Sequence, residues 1–210
     1  ADVLDTFGLL DKAGQVVVSY AVRGLDRVTK CEAQDFKQAL SEECYPYFFG
    51  LWDCVRVHGH FRRNGGRPEL SKHTPFGYNA LAIDEQRRHF RPLVWKEPEK
   101  KGQTIEQVWF AGVHANVCGG YGQTGLSHLA LKWMIEKANA CGLLIDEEKF
   151  KSLKPDPLAD MGESMVGFWR IFGKRPRMIP RNTLIHPSVK DRLESKANYA
   201  PRNLTDRDLE

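Results

Sequence analysis

Two residues with side chains suited to acid–base chemistry each follow a short apolar run. Asp53 comes directly after residues 47–52, and His114 comes directly after residues 108–113. Uncharged runs of this length, rich in aromatic and aliphatic residues, indicate buried strands. Ligands of open α/β sheets bind outside the carboxyl ends of the strands, so both side chains are expected at one edge of a sheet. An aspartate that orients a histidine is the acid–base half of a Ser-His-Asp site.

No serine is as well placed as these two residues. The order in α/β-hydrolases is Ser, then Asp or Glu, then His, and Asp53 before His114 fits that order with a nucleophile upstream. Ser127, in Gly125-Leu126-Ser127-His128, resembles the start of a nucleophile elbow. An elbow needs a preceding strand and a small residue two positions after the serine, where this chain has Leu129. Ser127 is therefore predicted in the first turn of a helix.

The same residue types also have structural interpretations. Asp53 could cap the turn after its strand, because Asp commonly accepts hydrogen bonds from nearby backbone N–H groups, and Asp84 is a second candidate for the acid. A histidine after a strand is also common without any catalytic role. The polar stretch of residues 57–75 has the length of a functional or mobile loop, and it carries His58, His60 and His73. A His-x-His pair without a carboxylate partner indicates a solvated loop, so no metal and no other cofactor is expected.

Apolar spacing predicts helices around these runs. Thr29 and Glu32 have the spacing of a capping box, in which side chains satisfy free backbone N–H groups at a helix start. A helical stripe follows His114, and Gly142 is placed to end that helix. The stripe consists of Leu126, Leu129, Ala130, Trp133 and Met134. His186-Pro187-Ser188 fits the start of a last helix, since proline is favoured at the first helical position.

Four other segments give weaker signals. Residues 1–10 have a helical spacing of apolar residues, and residues 79–89 are predicted as a helix whose charged half faces solvent or pairs with neighbours. Residues 16–22 could be a strand by composition or a helix, and periodicity alone does not decide. A basic segment near the end either attracts anionic phospholipid headgroups or is a solvated strap over the sheet. Its residues are Arg170, Lys174, Arg175, Arg177 and Arg181.

The composition is that of a globular chain with a mild positive charge. A length of 210 residues suits one domain with a sizeable core, and a net charge of +4 permits an anionic partner without favouring nucleic acid. No apolar run reaches the roughly 18 residues of a transmembrane helix, and no signal peptide is recognisable. The five cysteines are scattered and odd in number, which favours reduced thiols in a cytoplasmic protein.

Five blocks of sequence occur in the order seen in one family. They are Leu51-Trp52-Asp53-Cys54-Val55, residues 80–90, residues 108–114, residues 130–134 and His186-Pro187-Ser188-Val189. On these blocks the chain, from about Phe7 to Leu204, resembles the α/β-hydrolase domain of the DUF2235 family, which includes the Tle1-type phospholipase effectors of bacterial type VI secretion. The resemblance implies an α/β fold that is α/β-hydrolase-like, with a mostly parallel sheet flanked by helices, here lacking its N-terminal part.

The resemblance also implies a domain organisation and a function. Residues 1–204 would be the C-terminal portion of one α/β-hydrolase domain, and residues 205–210 a polar tail. The implied activity is cleavage of lipid or other ester bonds by a serine hydrolase, with Asp53 at the position of the triad acid and His114 at that of the triad histidine. The family's nucleophile lies in a glycine-phenylalanine-serine-arginine-glycine block that this chain lacks. The serine is therefore expected upstream, and the chain alone is expected to be inactive.

The chain departs from the family at two positions. Asn116 stands where the family usually has Asp, and Cys118 stands where it usually has Gly, which tightens a turn that is normally free to take positive φ. The implied partners are a lipid or other ester substrate and a peripheral membrane surface, with no nucleic acid and an open oligomeric state. A secreted effector is the alternative to a cytoplasmic location. The rival functions are a non-catalytic hydrolase-fold binding domain, and a peptidase or thioesterase on the same fold.

Overall fold

A computed structural model describes residues 4, 8–10, 29–56, 69–96 and 102–204. The strands are β1 (Leu9–Leu10), β2 (Ser41–Glu42), β3 (Phe48–Trp52), β4 (Val55–Arg56), β5 (Phe76–Ala82), β6 (Arg91–Pro92), β7 (Thr104–Phe110) and β8 (Leu184–Ile185). The helices are α1 (Lys30–Leu40), α2 (His114–Cys118), α3 (Gly125–Ala140), α4 (Glu147–Lys151) and α5 (Pro187–Ser195), and Gly167–Phe172 is a 3₁₀ turn.

Four of the described strands form one parallel sheet. Its order is β3-β5-β7-β8, and every neighbouring pair is parallel. The short strands pair antiparallel, β1 with β2 and β4 with β6. The expectation of a mostly parallel sheet with flanking helices is therefore confirmed. Within the described part of the chain, β3 is an edge strand of this sheet.

Both faces of the sheet are covered by helices. Successive residues of β5 and β7 point to opposite faces, as the two-residue period of a strand requires. One face holds Ala80, Ala82, Val108 and Phe110, which cluster with Ala130, Trp133 and Met134 of α3. The other face holds Leu81, Trp109 and Ala111, which cluster with Val189 of α5. Burial of each large side chain contributes about 2 kcal/mol, so the two clusters hold β5 and β7 as a rigid support for the residues that follow them.

The helix expected at residues 79–89 is wrong. Phe76–Ala82 is the central strand β5, and residues 83–90 are irregular chain. Because β5 is buried on both faces, its apolar run shows no alternation, and such a run cannot be told from a buried helix by periodicity. The charged residues of this segment do form a pair. Glu85 is buried, and Arg87 donates to both of its carboxylate oxygens.

The predicted capping box, the helix end at Gly142 and the helix start at Pro187 are confirmed. Thr29 and Glu32 form the capping box of α1, with Glu32 N–H donating to Thr29 Oγ1 over 3.3 Å and Thr29 N–H donating to the Glu32 carboxylate over 2.8 Å. Gly142 follows α3 with a φ of +96°, a left-handed conformation that is typical of a residue just past a helix end. Pro187 is the first residue of α5.

Other expectations concern the two ends of the chain and its loops. Leu9–Leu10 is the strand β1, so the helix expected over residues 1–10 is wrong at its end. The expectations for residues 16–22, for the loop portion 57–68 with His58 and His60, and for the polar tail 205–210 lie outside the described residues. In the described part of the chain, no helix combines the length and apolar character needed to cross a bilayer.

Candidate active site

Asp53 lies directly after β3 in a tight, buried turn. Its backbone takes a φ of +46°, in the left-handed region that Asp tolerates better than most non-glycine residues. The Asp53 N–H donates to the Ala80 carbonyl over 2.7 Å, and its Oδ1 accepts the Ala82 N–H over 2.9 Å. Its side chain is 0% exposed. Two backbone groups of β5 thus hold Asp53 at the carboxyl end of that strand, one through the Asp53 N–H and one through its carboxylate.

His114 reaches the same edge from β7. The strand ends at Phe110, and Ala111-Gly112-Val113 lead into α2, of which His114 is the first residue. Gly112 has a φ of +118°, and a Cβ there would lie 2.5 Å from the Asn116 Cβ, so the turn needs glycine. The prediction that His114 directly follows a strand is therefore wrong, because residues 111–113 separate it from β7. Asp53 and His114 nevertheless lie at the expected edge of the sheet.

The side chains of Asp53 and His114 meet, although 61 positions separate them. His114 Nδ1 lies 2.8 Å from Asp53 Oδ2, and the His114 side chain is 26% exposed. The His114 N–H donates to Glu85 Oε2 over 3.1 Å, which fixes the backbone of the histidine. When Nδ1 carries the proton that the carboxylate accepts, Nε2 is a free acceptor. This is the tautomer that a general base requires.

Arg177 is the site residue that the sequence analysis missed. Its guanidinium is buried and donates to both Asp53 oxygens, with Nη1 on Oδ1 and Nη2 on Oδ2, the latter over 2.9 Å. It also donates to the carbonyls of Ala82 and Phe90 over 2.8 and 2.9 Å. The interpretation of the basic segment as solvated or headgroup-facing is therefore wrong for Arg177. No local signal separates it from the other cations of that segment.

The Asp53 carboxylate is held in its charged form. Burial opposes ionisation, but the hydrogen bond from His114 and the positive charge and hydrogen bonds of Arg177 outweigh it, so the pKa of Asp53 lies below its ordinary value. Ala82, His114 and Arg177 together fill the four acceptor positions that a carboxylate offers. Asp53 therefore remains a fully bonded anion beside the imidazole.

Cys118 lies one helical turn after His114. Its Sγ donates to the Trp52 carbonyl over 2.9 Å and lies 3.6 and 3.8 Å from His114 Nδ1 and Nε2. The atoms around the sulfur desolvate it although the residue as a whole is exposed, and this desolvation, reinforced by the negative charge of Asp53, raises the pKa of Cys118 to about 12. A thiol that stays protonated is not an activated nucleophile. The positive φ expected at this position is taken instead by Gly119, at +86°, so the expectation of a tightened turn at Cys118 is wrong.

Donor atoms of Asp53, His114 and Cys118 lie within 4.8 Å of one another, close enough to share a metal ion. Three properties make this set a poor one. The acceptor positions of Asp53 are filled, the Arg177 guanidinium would repel a cation, and the Cys118 thiol stays protonated. The arrangement suits proton transfer better than metal binding.

Neighbouring polar residues support the turn before His114. Asn116 Oδ1 accepts the N–H groups of Val113 and Gly162 over 3.1 and 3.2 Å, so this departure from the family still links the turn to the segment near Gly162. Asp84, the second candidate for the acid, accepts the Gly112 N–H over 2.7 Å and the Tyr199 hydroxyl over 2.9 Å. The described hydrogen bonds therefore make Asp53, and not Asp84, the partner of the His114 imidazole.

Ser127 lies in the first turn of α3 and donates to the Thr124 carbonyl over 3.0 Å, which confirms its helical position.

A cavity of about 720 Å³ borders the turn that precedes His114, and Asp84, Val113 and Ser164 contribute to its wall. The His114 ring is not part of that wall, so this cavity and the Asp53–His114 pair are separate features.

A family model described as "T6SS, Phospholipase effector Tle1-like, catalytic domain" matches residues 5–137 of the 210. The matched range contains Asp53 and His114, whereas Arg177 lies outside it. No curated protein and no solved structure matches the chain.

Proposed function

The chain belongs to the family of T6SS Tle1-like phospholipase effector catalytic domains, and from this premise we propose that Asp53 and His114 are the acid and base of a serine ester hydrolase. The phospholipase family supports a phospholipid as the substrate. The observation that carries the proposal is the 2.8 Å contact between Asp53 Oδ2 and His114 Nδ1 at the carboxyl edge of a parallel sheet. Active sites of α/β folds lie at that edge.

In the proposed mechanism His114 moves the protons. Its Nε2 accepts the hydroxyl proton of a serine as the serine oxygen bonds to the ester carbonyl carbon. When the tetrahedral intermediate collapses, the ester C–O bond breaks and the leaving alcohol takes that proton from His114. Water then attacks the acyl-enzyme carbonyl carbon while His114 accepts a proton from it, the bond between the acyl carbon and the serine oxygen breaks, and the serine oxygen takes that proton from His114. Asp53 keeps Nδ1 protonated and stabilises the imidazolium that forms in each step.

We propose that the serine lies outside residues 1–210, upstream of Asp53. The sequence contains no G-x-S-x-G block, and Ser127 lies in a helix. Among the described residues β3 has no second partner in the sheet, which supports the proposal, because a further parallel strand paired with β3 would end beside Asp53 and His114. A residue that follows such a strand would be close to His114 Nε2. Residues 1–210 alone would then lack the nucleophile and remain inactive.

Arg177 would act as a positioning residue. Its two N–H groups occupy one acceptor position on each Asp53 oxygen and leave the remaining position of Oδ2 to His114. Bidentate arginine pairs fix the plane of a carboxylate, so the guanidinium would hold Asp53 in the orientation that the imidazole requires.

The test is phospholipid hydrolysis by the protein expressed from its complete gene. His114→Ala and Asp53→Asn are each expected to lower the rate by about 10³-fold or more, because the base or its orienting charge is lost. The matched controls are His73→Ala and Asp35→Asn, whose side chains are exposed, and both are expected to keep the parent rate. A folded parent that cleaves no ester, or a His114→Ala variant as active as the parent, would reject the proposal and favour a non-catalytic binding domain.

A further inference from the structure

The 3₁₀ turn Gly167–Phe172 presents large apolar side chains to solvent. Phe168 is 67% exposed and Ile171 is 78% exposed, and Val166 just before the turn is also exposed. A single exposed apolar residue is ordinary on a protein surface, but neighbouring ones indicate a surface that contacts something. We call the turn, with Val166, the docking turn.

The outward and inward faces of the docking turn differ. A 3₁₀ helix has three residues per turn, so residues i and i+3 lie on the same face. Phe168 and Ile171 share the exposed face, whereas Trp169 and Phe172 share the next one. The Trp169 ring lies 5.1 Å from the Phe90 ring, and the Phe172 ring lies 5.3 Å from the His89 ring. The inward pair anchors the turn, and the outward pair remains exposed.

The docking turn is joined to the proposed active site through aromatic contacts. Phe90, which contacts Trp169, also packs edge-on against the His114 imidazole at a ring distance of 5.2 Å. The Arg87 guanidinium covers Phe90 at 3.4 Å and lies 5.0 Å from the Trp169 ring. Trp169, on the inward face of the docking turn, is therefore two ring contacts from the proposed base. The docking turn thus borders the proposed active site.

The segment that contains the docking turn carries a positive charge. No Asp or Glu occurs between Ser164 and Lys190. Four cations of this segment are exposed, and the salt bridges of the described residues include none of them. They are Arg170, Lys174, Arg175 and Arg181. Unpaired cations beside exposed aromatic and aliphatic side chains are typical of surfaces that bind anionic bilayers.

We propose that the docking turn and these four cations bind an anionic phospholipid bilayer, with Phe168 and Ile171 entering the headgroup region. The proposal deepens the proposed function and rests on it in one respect, because a phospholipid substrate lies in a bilayer. The complementary charges select an anionic lipid surface as the occupant. Binding there would bring the lipid ester bonds next to His114.

The experiment measures binding to vesicles without any turnover. The full protein carries His114→Ala in every sample, so the result does not depend on ester hydrolysis or on the proposed catalytic role. Co-sedimentation is measured with vesicles of phosphatidylcholine alone and with vesicles that contain about one third phosphatidylglycerol. The His114→Ala parent is expected to bind the anionic vesicles more tightly than the neutral ones.

Two double variants remove the two parts of the surface. Phe168→Ser with Ile171→Ser removes the apolar face, and Lys174→Glu with Arg175→Glu reverses two charges. Each pair is expected to weaken binding to anionic vesicles by roughly tenfold or more. Circular dichroism checks that each variant is folded.

Matched control variants make the same changes elsewhere. Leu143→Ser with Leu144→Ser alters side chains that are 55% and 96% exposed, and Lys151→Glu with Lys154→Glu alters two exposed lysines. Both control pairs are expected to bind within twofold of the parent. The proposal is overturned if the parent fails to sediment with anionic vesicles, or if folded docking-turn variants bind as tightly as the controls; a protein partner would then be the better occupant of this face.

Discussion

Asp53 joins two distant parts of the chain through a single carboxylate. It accepts hydrogen bonds from the Ala82 backbone, from His114 and from Arg177, and it has no exposed surface. An unpaired buried charge is costly, so the Arg177 guanidinium compensates the charge that the proposed mechanism needs. The same ion pair lowers the pKa of Asp53 and keeps the carboxylate ionised as the pH falls.

Arg177→Met is expected to lower the free energy of unfolding by about 3–5 kcal/mol, because it leaves Asp53 charged and buried without its partner. Asp53→Asn combined with Arg177→Met removes both charges, so the double variant is expected to be more stable than Arg177→Met alone. Urea unfolding of residues 1–210 at neutral pH measures the free energies of unfolding of the parent, of Arg177→Met and of the double variant.

Arg177→Lys is the matched control for this comparison. Lysine keeps the charge but cannot donate to both Asp53 oxygens in the planar geometry of a guanidinium, so an intermediate loss of stability is expected. A double variant no more stable than Arg177→Met would contradict the account of Asp53 and Arg177 as a charge-compensating pair.

At the scale of elements, α5 begins at a half-buried histidine. His186 is the N-cap of α5, and its Nδ1 accepts the Ser188 N–H over 3.2 Å while its ring stacks on Phe110 at 4.5 Å. Burial lowers the pKa of His186 from its ordinary value of 6.5 to about 4, against the opposing charge of Asp191. The folded protein therefore holds His186 neutral at a pH where the unfolded chain binds a proton.

This linkage makes the stability of the fold fall with acid. Above about pH 6.5 the histidine is neutral in both states, and between about pH 6.5 and 4 only the unfolded chain is protonated, so stability is lost as the pH decreases. The expected contribution is about 1 kcal/mol per pH unit in that window. His186→Asn keeps a capping acceptor without a titrating group. The contribution of His186 to the change of the unfolding free energy with pH is therefore expected to disappear.

Thermal or urea unfolding across the pH window measures that slope. A His186→Asn protein with the parent slope between pH 6.5 and 4 would show that His186 is not the titrating group.

The elements differ in how far local sequence determines them. The helix α3 is predictable because Leu126, Ala130, Trp133 and Met134 repeat at helical spacing and Gly142 follows. The strand β5 is not, because it lies between β3 and β7 and is covered on both faces, so its apolar residues do not alternate. Its position in the centre of the sheet depends on pairing with distant residues, which a local pattern does not contain.

At the scale of the whole molecule, some residues of the candidate site can be predicted from local sequence and others cannot. Asp53 and His114 are predictable because each follows an apolar run, and parallel strands bring their carboxyl ends to one edge. Arg177 is separated from Asp53 by 124 positions and lies in an irregular segment of similar cations. Its burial depends on the path of that segment over the sheet. The sequence therefore indicates the acid and the histidine but not the cation that holds the acid.

The carboxyl end of β3 and the docking turn both border the proposed catalytic pair. Asp53 directly follows β3, which is an edge strand within the described residues, and the docking turn is linked to His114 through Trp169 and Phe90. A nucleophile delivered beside β3 and a lipid surface bound at the docking turn would meet at His114. Catalysis is therefore expected only where a serine is held beside His114.

Labelling with a fluorophosphonate probe tests the central claim most directly, because the probe forms a covalent bond with an activated serine. The protein expressed from its complete gene is labelled, and mass spectrometry locates the modified residue. One serine upstream of Asp53, outside residues 1–210, is expected to carry the label. Labelling is expected to be slowed by about 10²-fold or more in His114→Ala and Asp53→Asn and to be unchanged in the His73→Ala control. A folded protein that is not labelled, or one labelled equally fast without His114, would contradict the central claim.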